Sequence, residues 1–177
     1  MTAVRPATPE DARAIAEVQV ETWRAAYVGV MPQEVLDQLD VDERADAWSD
    51  WLSIETSAQF VAERPGACVG FVSAGPCRLE EETGEVYAIY VRPDAWGTGS
   101  GWALMDAAVA WLADRWQEAI LWVAEENPRA RRFYERYGWV AESTRVEEVV
   151  PGAEVPEVLY RLSGLRESLA KHRLCRP

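Results

Sequence analysis

Apolar residues recur at helical spacing in several parts of the chain. Thr8, Pro9 and Asp11 form the pattern of a capping box that opens a helix. The residues that follow at this spacing predict a helix with one face to bury, and they are Ala12, Ala16, Val20, Trp23 and Tyr27. Further helical stretches are predicted at residues 35–39, 40–52, 104–112 and 128–137.

Strand patterns lie between these helical stretches. Short runs rich in β-branched and aromatic residues are bounded by turn residues, such as Gly66 and Gly84. The predicted strands are residues 3–6, 59–63, 67–72, 85–91, 120–123, 139–142 continuing toward 150, and 157–162. The alternation of strands with helices is typical of a mixed α/β layer fold.

A glycine loop joins the strand at 85–91 to the helix that follows it. The loop reads Trp96, Gly97, Thr98, Gly99, Ser100, Gly101 and Trp102. A P-loop would require Lys and Ser or Thr directly after Gly101, and a dinucleotide fingerprint would require glycine at the position of Trp102. Neither pattern fits. Free backbone N–H groups at a helix N-terminus bind anions, so the loop predicts a pyrophosphate ligand bound through the backbone.

A second motif follows the loop, and the two together resemble a known family. Its residues are Asn127-Pro-Arg-Ala130-Arg-Arg-Phe133-Tyr134, and Val91-Arg92-Pro93 precedes the glycine loop. This arrangement resembles the GNAT superfamily of N-acetyltransferases, although Trp96 stands where that family usually has Gln or Arg. The resemblance implies a single α/β domain at residues 1–162, with a mixed central sheet of about six to seven strands flanked by helices. A basic tail at residues 163–177 follows this domain.

The resemblance also implies a reaction and a set of cofactor-binding residues. The reaction is direct transfer of an acetyl group from acetyl-CoA, the cosubstrate, to a primary amine, without a metal. A small-molecule acceptor is favoured. The cofactor-binding residues implied are Ile89, Tyr90, Val91, Trp96, Gly97, Thr98, Gly99, Ser100, Gly101, Trp102, Asn127, Ala130 and Arg136.

Two catalytic residues and two acceptor-binding residues are implied in the same way. Tyr134 matches the family tyrosine that protonates the leaving thiolate, with a packed aromatic residue on the helix face as the alternative. Glu85 is the candidate base that takes the proton of the amine, although the neighbouring acidic run leaves a merely solvating role open. Trp23 and Tyr27 match the region of the acceptor pocket, with core packing the alternative for Trp23.

Composition bounds the partners of the protein. The chain has 18 Lys and Arg against 30 Asp and Glu, a net charge of −12, which disfavours nucleic acid as a partner. Cys68, Cys77 and Cys175 form no metal or disulfide pattern, and His172 is the only histidine. No apolar run is long enough to span a membrane. We therefore expect a cytoplasmic protein without a membrane partner.

Three questions stay open at this level. A non-catalytic acyl-CoA-binding or sensory module would keep the loop without the chemistry, and a protein N-terminal or lysine acetyltransferase would share both motifs. A homodimer is compatible with the sequence. The basic tail, with Arg166, Lys171, Arg173 and Arg176, is expected to be frayed or docked on the surface.

Overall fold

A single sheet of seven strands forms the centre of the molecule. The computed structural model describes residues 2–150 and 153–174. The strands are β1 (Ala3–Pro6), β2 (Ala58–Arg64), β3 (Ala67–Pro76), β4 (Gly84–Val91), β5 (Glu118–Ala124), β6 (Val140–Val150) and β7 (Ala153–Ser163). Their order in the sheet is β1-β2-β3-β4-β5-β7-β6. All neighbours are antiparallel except β4 and β5, so the predicted mixed α/β sheet is confirmed.

Helices cover both faces of this sheet. They are α1 (Ala12–Ala26), α2 (Gln33–Asp37), α3 (Val41–Trp51), α4 (Ser100–Ala113), α5 (Pro128–Tyr137) and α6 (Leu165–Leu174). The buried apolar residues of α4 and α5 pack with one face of the sheet in the largest core cluster. Residues of α1 and α3 pack on the opposite face. Burial of these apolar stripes stabilises the layered arrangement.

The two parallel strands β4 and β5 separate after a short pairing. Residues 84–86 pair with residues 119–121, and the rest of β4 pairs with no described strand on that side. An extra residue, Tyr87, interrupts the register of β4 against β3. Because of this bulge, Val86 faces the α4 side while Ala88 faces the α1 side. The sheet therefore opens into a gap in front of the glycine loop.

The end of the chain differs from the expected frayed tail. Residues 165–174 form α6, and Leu165 at its start is only 1% exposed. Leu165 belongs to the core cluster that contains α4, and Leu169 packs against the same cluster. The docked alternative is therefore the one that the described part of the tail adopts. Cys175 and Arg176 lie outside the described residues.

Several strands are longer than the sequence predicts. β3 extends to Pro76 instead of residue 72, and Gly84 opens β4 instead of closing a turn. β7 begins at Ala153, four residues before the predicted start. In each case pairing with a neighbouring strand extends the element beyond the residues with strand propensity.

Candidate active site

The glycine loop presents a row of free backbone N–H groups. Gly97 and Gly99 have φ angles of +75° and +87°, a left-handed conformation that favours glycine. The N–H groups of residues 97–102 donate no hydrogen bond to another described residue. A Cβ atom added at Gly97 or Gly99 would meet no atom within 4 Å, so the space beside the loop is open. This geometry fits an anionic group held at the N-terminus of α4.

Side chains hold the loop in this conformation. The hydroxyl of Thr98 donates to the carbonyl of Ala95 at 2.7 Å and lies 2.9 Å from the buried hydroxyl of Ser100. The indole N–H of Trp96 donates to the carbonyl of Val91 at 2.6 Å. The guanidinium of Arg129, from α5, lies 3.9 Å from the centre of the Trp96 ring. Trp96 and Arg129 therefore link the loop, the end of β4 and the start of α5.

Helix α5 begins and ends where the second motif predicts. The side-chain oxygen of Asn127 accepts a hydrogen bond from the N–H of Ala130 at 3.0 Å, and Gly138 ends the helix with φ of +112°. A groove of about 1100 Å³ lies between the glycine loop, the end of α5 and α6, and Gly99 and Arg136 both line it. The structure thus brings Arg136 to the same groove as the loop.

Trp102 packs inward rather than projecting from the loop. Its ring centre lies 5.0 Å from that of Tyr137 and 5.1 Å from that of His172 on α6. A basic residue at this position would lose these aromatic contacts. Trp102 therefore takes part in the docking of α6.

Tyr134 is a buried tyrosine whose hydroxyl has no hydrogen-bond partner among the described residues. Its residue exposure is 7%, and its hydroxyl forms no hydrogen bond with another described residue. Burial and the nearby phenol of Tyr90 raise the pKa of Tyr134 above its ordinary value. The phenol therefore stays protonated at neutral pH and can donate to a group that enters the gap.

Glu85 lies at the opposite end of β4 from the glycine loop. Its side chain is 3% exposed and pairs with Arg78, whose Nη2 lies 2.5 Å from Oε1. The backbone N–H of Arg78 donates to Oε2 at 3.2 Å. Both carboxylate oxygens of Glu85 thus accept hydrogen bonds from a residue that precedes β4.

The predicted acceptor residues form an aromatic wall beside the gap. The ring centre of Trp23 lies 5.4 Å from that of Tyr27 and 6.3 Å from that of Tyr90. Trp23 is 8% exposed and belongs to a core cluster with Ala124 of β5. Trp23 is therefore a core residue as well as part of this wall, while Ile89 and Val91 face the α4 side of β4.

Two charged residues at this site were not found from the sequence. Glu157 of β7 accepts two hydrogen bonds from Arg145 of β6, at 2.9 and 3.1 Å, and its side chain is 13% exposed. Burial raises the pKa of Glu157, and Arg145 opposes that rise. The contact between Arg145 and Glu157 depends on the register of β6 against β7, which no sequence motif specifies, so the sequence carries no signal that singles out Glu157.

The described part of the chain has neither a metal-binding cluster nor a membrane-spanning helix. Residues 2–150 and 153–174 contain no cluster of three or more His, Cys, Asp or Glu side chains that could hold a metal ion. Within the same residues, no helix is long and apolar enough to cross a membrane.

Known proteins resemble this chain in sequence and in fold. The model of the Acetyltransferase (GNAT) family matches residues 16–139. A relative from Bacillus subtilis (strain 168), named YuaI and described as an uncharacterized N-acetyltransferase, is 36% identical over 141 residues, or 77% of this chain and 79% of that protein. The mycothiol acetyltransferase of Streptomyces coelicolor is 36% identical over 122 residues, or 68% of this chain but only 38% of that protein.

A solved structure agrees with the fold. The acetyltransferase YncA of Salmonella typhimurium, determined with its cofactor acetyl-CoA, has a TM-score of 0.70 at 20% identity and covers 92% of this chain and 93% of its own. The open sheet, the glycine loop and these matches lead to one conclusion. The chain belongs to the GNAT family and is an N-acetyltransferase.

Proposed function

We propose that the protein transfers an acetyl group from acetyl-CoA to a primary amine on a small molecule. The observation that carries the proposal is the row of free N–H groups at residues 97–102, placed at the end of the strand that borders the gap. This row suits the pyrophosphate of coenzyme A, because backbone donors and the helix dipole bind it without a basic side chain. Acetyl-CoA, when bound, supplies an acetyl group activated as a thioester.

The second motif supplies the remaining contacts to the cosubstrate in this proposal. Arg136 contributes positive charge on the groove beside the loop. The side-chain oxygen of Asn127 caps α5 by accepting from the N–H of Ala130, and in this proposal the NH2 group of Asn127 donates to the pantetheine arm of coenzyme A. The edge of β4 at Ile89, Tyr90 and Val91 is half-buried and offers backbone groups that do not pair with β5.

Tyr134 acts as the general acid in the proposed reaction. Its hydroxyl donates a proton to the leaving sulfur as the carbon–sulfur bond breaks. The support is its burial and the absence of a competing partner among the described residues. General acid catalysis of this kind contributes about 10²–10⁴ in rate.

Glu85 stays the proposed acceptor of the proton that the amine loses. A lysine-like amine has an ordinary pKa of about 10.4, so it must lose a proton before it attacks. Arg78 holds the Glu85 carboxylate in place at the paired end of β4. We expect Glu85→Gln to lower kcat while leaving the affinity for coenzyme A unchanged.

A panel of amines tests the proposed function. The purified protein is incubated with isotopically labelled acetyl-CoA and a pool of polyamines, amino acids, aminoglycosides and short peptides, and products are identified by mass spectrometry. We expect the label on small-molecule amines. Label on peptides alone would favour a protein acetyltransferase. Tight binding of coenzyme A without any labelled product would favour a non-catalytic binding module.

A further inference from the structure

Glu157 is a mostly buried carboxylate with one oxygen left open. Both hydrogen bonds from Arg145 end on Oε2, and Oε1 accepts none from the described residues. Glu157 stands directly opposite Ala124 in the antiparallel pair of β7 and β5. Opposite residues lie on the same face of a sheet. Since Ala124 packs in the cluster of Trp23, Glu157 faces the aromatic side of the gap.

The surroundings of Glu157 are aromatic and of mixed charge. The pKa of Tyr27 is raised well above its ordinary value. Burial is the largest cause, and the nearby groups Tyr90, Tyr134 and Glu157 raise it further. The other charged groups that act on Glu157 are Arg145, Glu147 and Arg78. Tyr27 packs in the same cluster as Ala124, so it lies on the face of the sheet that carries Glu157.

The wall next to Glu157 also contains a buried donor without a proper partner. The indole N–H of Trp23 is buried and forms no hydrogen bond of normal geometry with a described residue. This indole N–H lies close to the hydroxyl of Tyr90. Burial raises the pKa of Tyr90, and the nearby Trp23 donor partly opposes that rise. An unsatisfied buried donor is costly, which is consistent with a polar ligand group completing this site.

We propose that Glu157 is the residue that binds the ammonium group of the acceptor, with the rings of Tyr27 and Trp23 around it. A carboxylate oxygen beside aromatic faces is the environment that a desolvated cation prefers. The inference rests on the proposed function and narrows its substrate class to amines that arrive protonated. Glu157 thus selects and positions the amine, a role separate from the proton transfer proposed for Glu85.

A purely structural role is the competing explanation for Glu157. Arg145 and Glu157 are direct partners between β6 and β7, and such cross-strand pairs stabilise sheets. That role predicts a change in stability when the pair is broken, and no change in amine affinity. The ligand-binding role predicts a loss of amine affinity with little change in stability, for a variant that keeps a hydrogen bond to Arg145.

Calorimetric titration of the full chain saturated with coenzyme A separates these roles. The probes are benzylamine, butylamine and 1,4-diaminobutane, with benzyl alcohol as the neutral match of benzylamine. The variants are Glu157→Gln and, as a control on the same strand, Glu154→Gln, whose side chain is exposed. Because a hydrogen bond to a charged group is lost, we expect Glu157→Gln to weaken amine binding roughly 10-fold to 100-fold. Benzyl alcohol and Glu154→Gln should show no change.

A second variant keeps the inference testable if Glu157→Gln folds poorly. Arg145→Gln removes the positive charge beside the carboxylate, so benzylamine should then bind more tightly than to the wild type. Unchanged amine affinity in both variants would overturn the inference, as would a wild type that binds none of the three amines.

Turnover distinguishes this inference from the proposed function. With saturating acetyl-CoA, Glu157→Gln should raise the KM for the amine by the same factor and leave kcat within about threefold, whereas loss of the general acid lowers kcat. Amine binding through Glu157 without any acetylation would contradict the proposed function alone. Acetylation with an unchanged KM in Glu157→Gln would contradict this inference alone.

Discussion

Tyr134 and Tyr137 lie one turn apart on α5, and we expect removal of their hydroxyls to have opposite effects on stability and on kcat. The Tyr134 hydroxyl has no partner among the described residues, whereas the Tyr137 hydroxyl donates to Asp106 at 2.8 Å. Removing an unpaired hydroxyl leaves the fold nearly unaffected. Removing a donor to a partly buried carboxylate costs about 1.5 kcal/mol.

The catalytic effect of the same two changes is reversed. Tyr134→Phe removes the proposed proton donor, so kcat should fall by roughly 10²–10⁴, equivalent to about 3–5 kcal/mol in the barrier. Its midpoint of thermal unfolding should stay within about 1 °C of the wild type. Tyr137→Phe should lose roughly 3–6 °C in that midpoint, because a domain of this size loses about 2–4 °C per kcal/mol. Its kcat should stay within about threefold.

For both variants and the wild type, kcat is measured from the rate at which the coenzyme A thiol is released. The midpoint of unfolding is measured by thermal denaturation. The KM for acetyl-CoA serves as the check that the cosubstrate still binds. If Tyr134→Phe retained kcat within about threefold of the wild type, the assignment of the general acid would be wrong.

Three further predictions concern the loop, the start of α1 and α6. Gly99→Ala should weaken coenzyme A binding at least about tenfold in a titration, whereas Gly66→Ala, with a similar φ of +80° in the β2–β3 turn, should cost only about 1 kcal/mol of stability. The guanidinium of Arg5 holds the pKa of Asp11 below its ordinary value. The Arg5–Asp11 pair therefore adds stability at pH values above the pKa of Asp11 in the unfolded chain, and this stability is lost as the pH falls through the pKa of Asp11 in the folded protein. Denaturant unfolding should therefore show Asp11→Asn less stable by about 1 kcal/mol at pH 7, with the difference from the wild type shrinking as the pH falls through the folded-state pKa of Asp11. Leu165→Ala should destabilise by about 2–5 kcal/mol in the same assay if α6 is integral to the core.

The parts of the structure that local chemistry determines were predicted from the sequence. Gly97 and Gly99 adopt the left-handed conformation that a tight strand-to-helix turn requires. Asn127 caps α5 and Gly138 ends it, because both act through backbone groups within a few residues. These short-range features fixed the loop and the second motif, and with them the order of elements around the gap.

The parts that depend on distant residues were not predicted. Glu157 lies beside Arg145 of β6 and Ala124 of β5. The register of these two strands against β7 brings the three residues together. The helix α6 looks like a solvated basic tail, yet burial of Leu165 against α4 outweighs that composition. The contact of Trp102 with His172 belongs to the same packing. Such contacts follow from the topology of the fold, which local sequence patterns do not specify.

A crystal structure of the protein with acetyl-CoA tests the central claim most directly. The claim is that the loop at the end of β4 holds the pyrophosphate and that the thioester lies in the gap beside Tyr134. We expect pyrophosphate oxygens within about 3.3 Å of N–H groups in residues 97–102, and the thioester sulfur within hydrogen-bond reach of the Tyr134 hydroxyl. A pyrophosphate bound away from this loop, or a sulfur that lies beyond reach of Tyr134, would contradict the account.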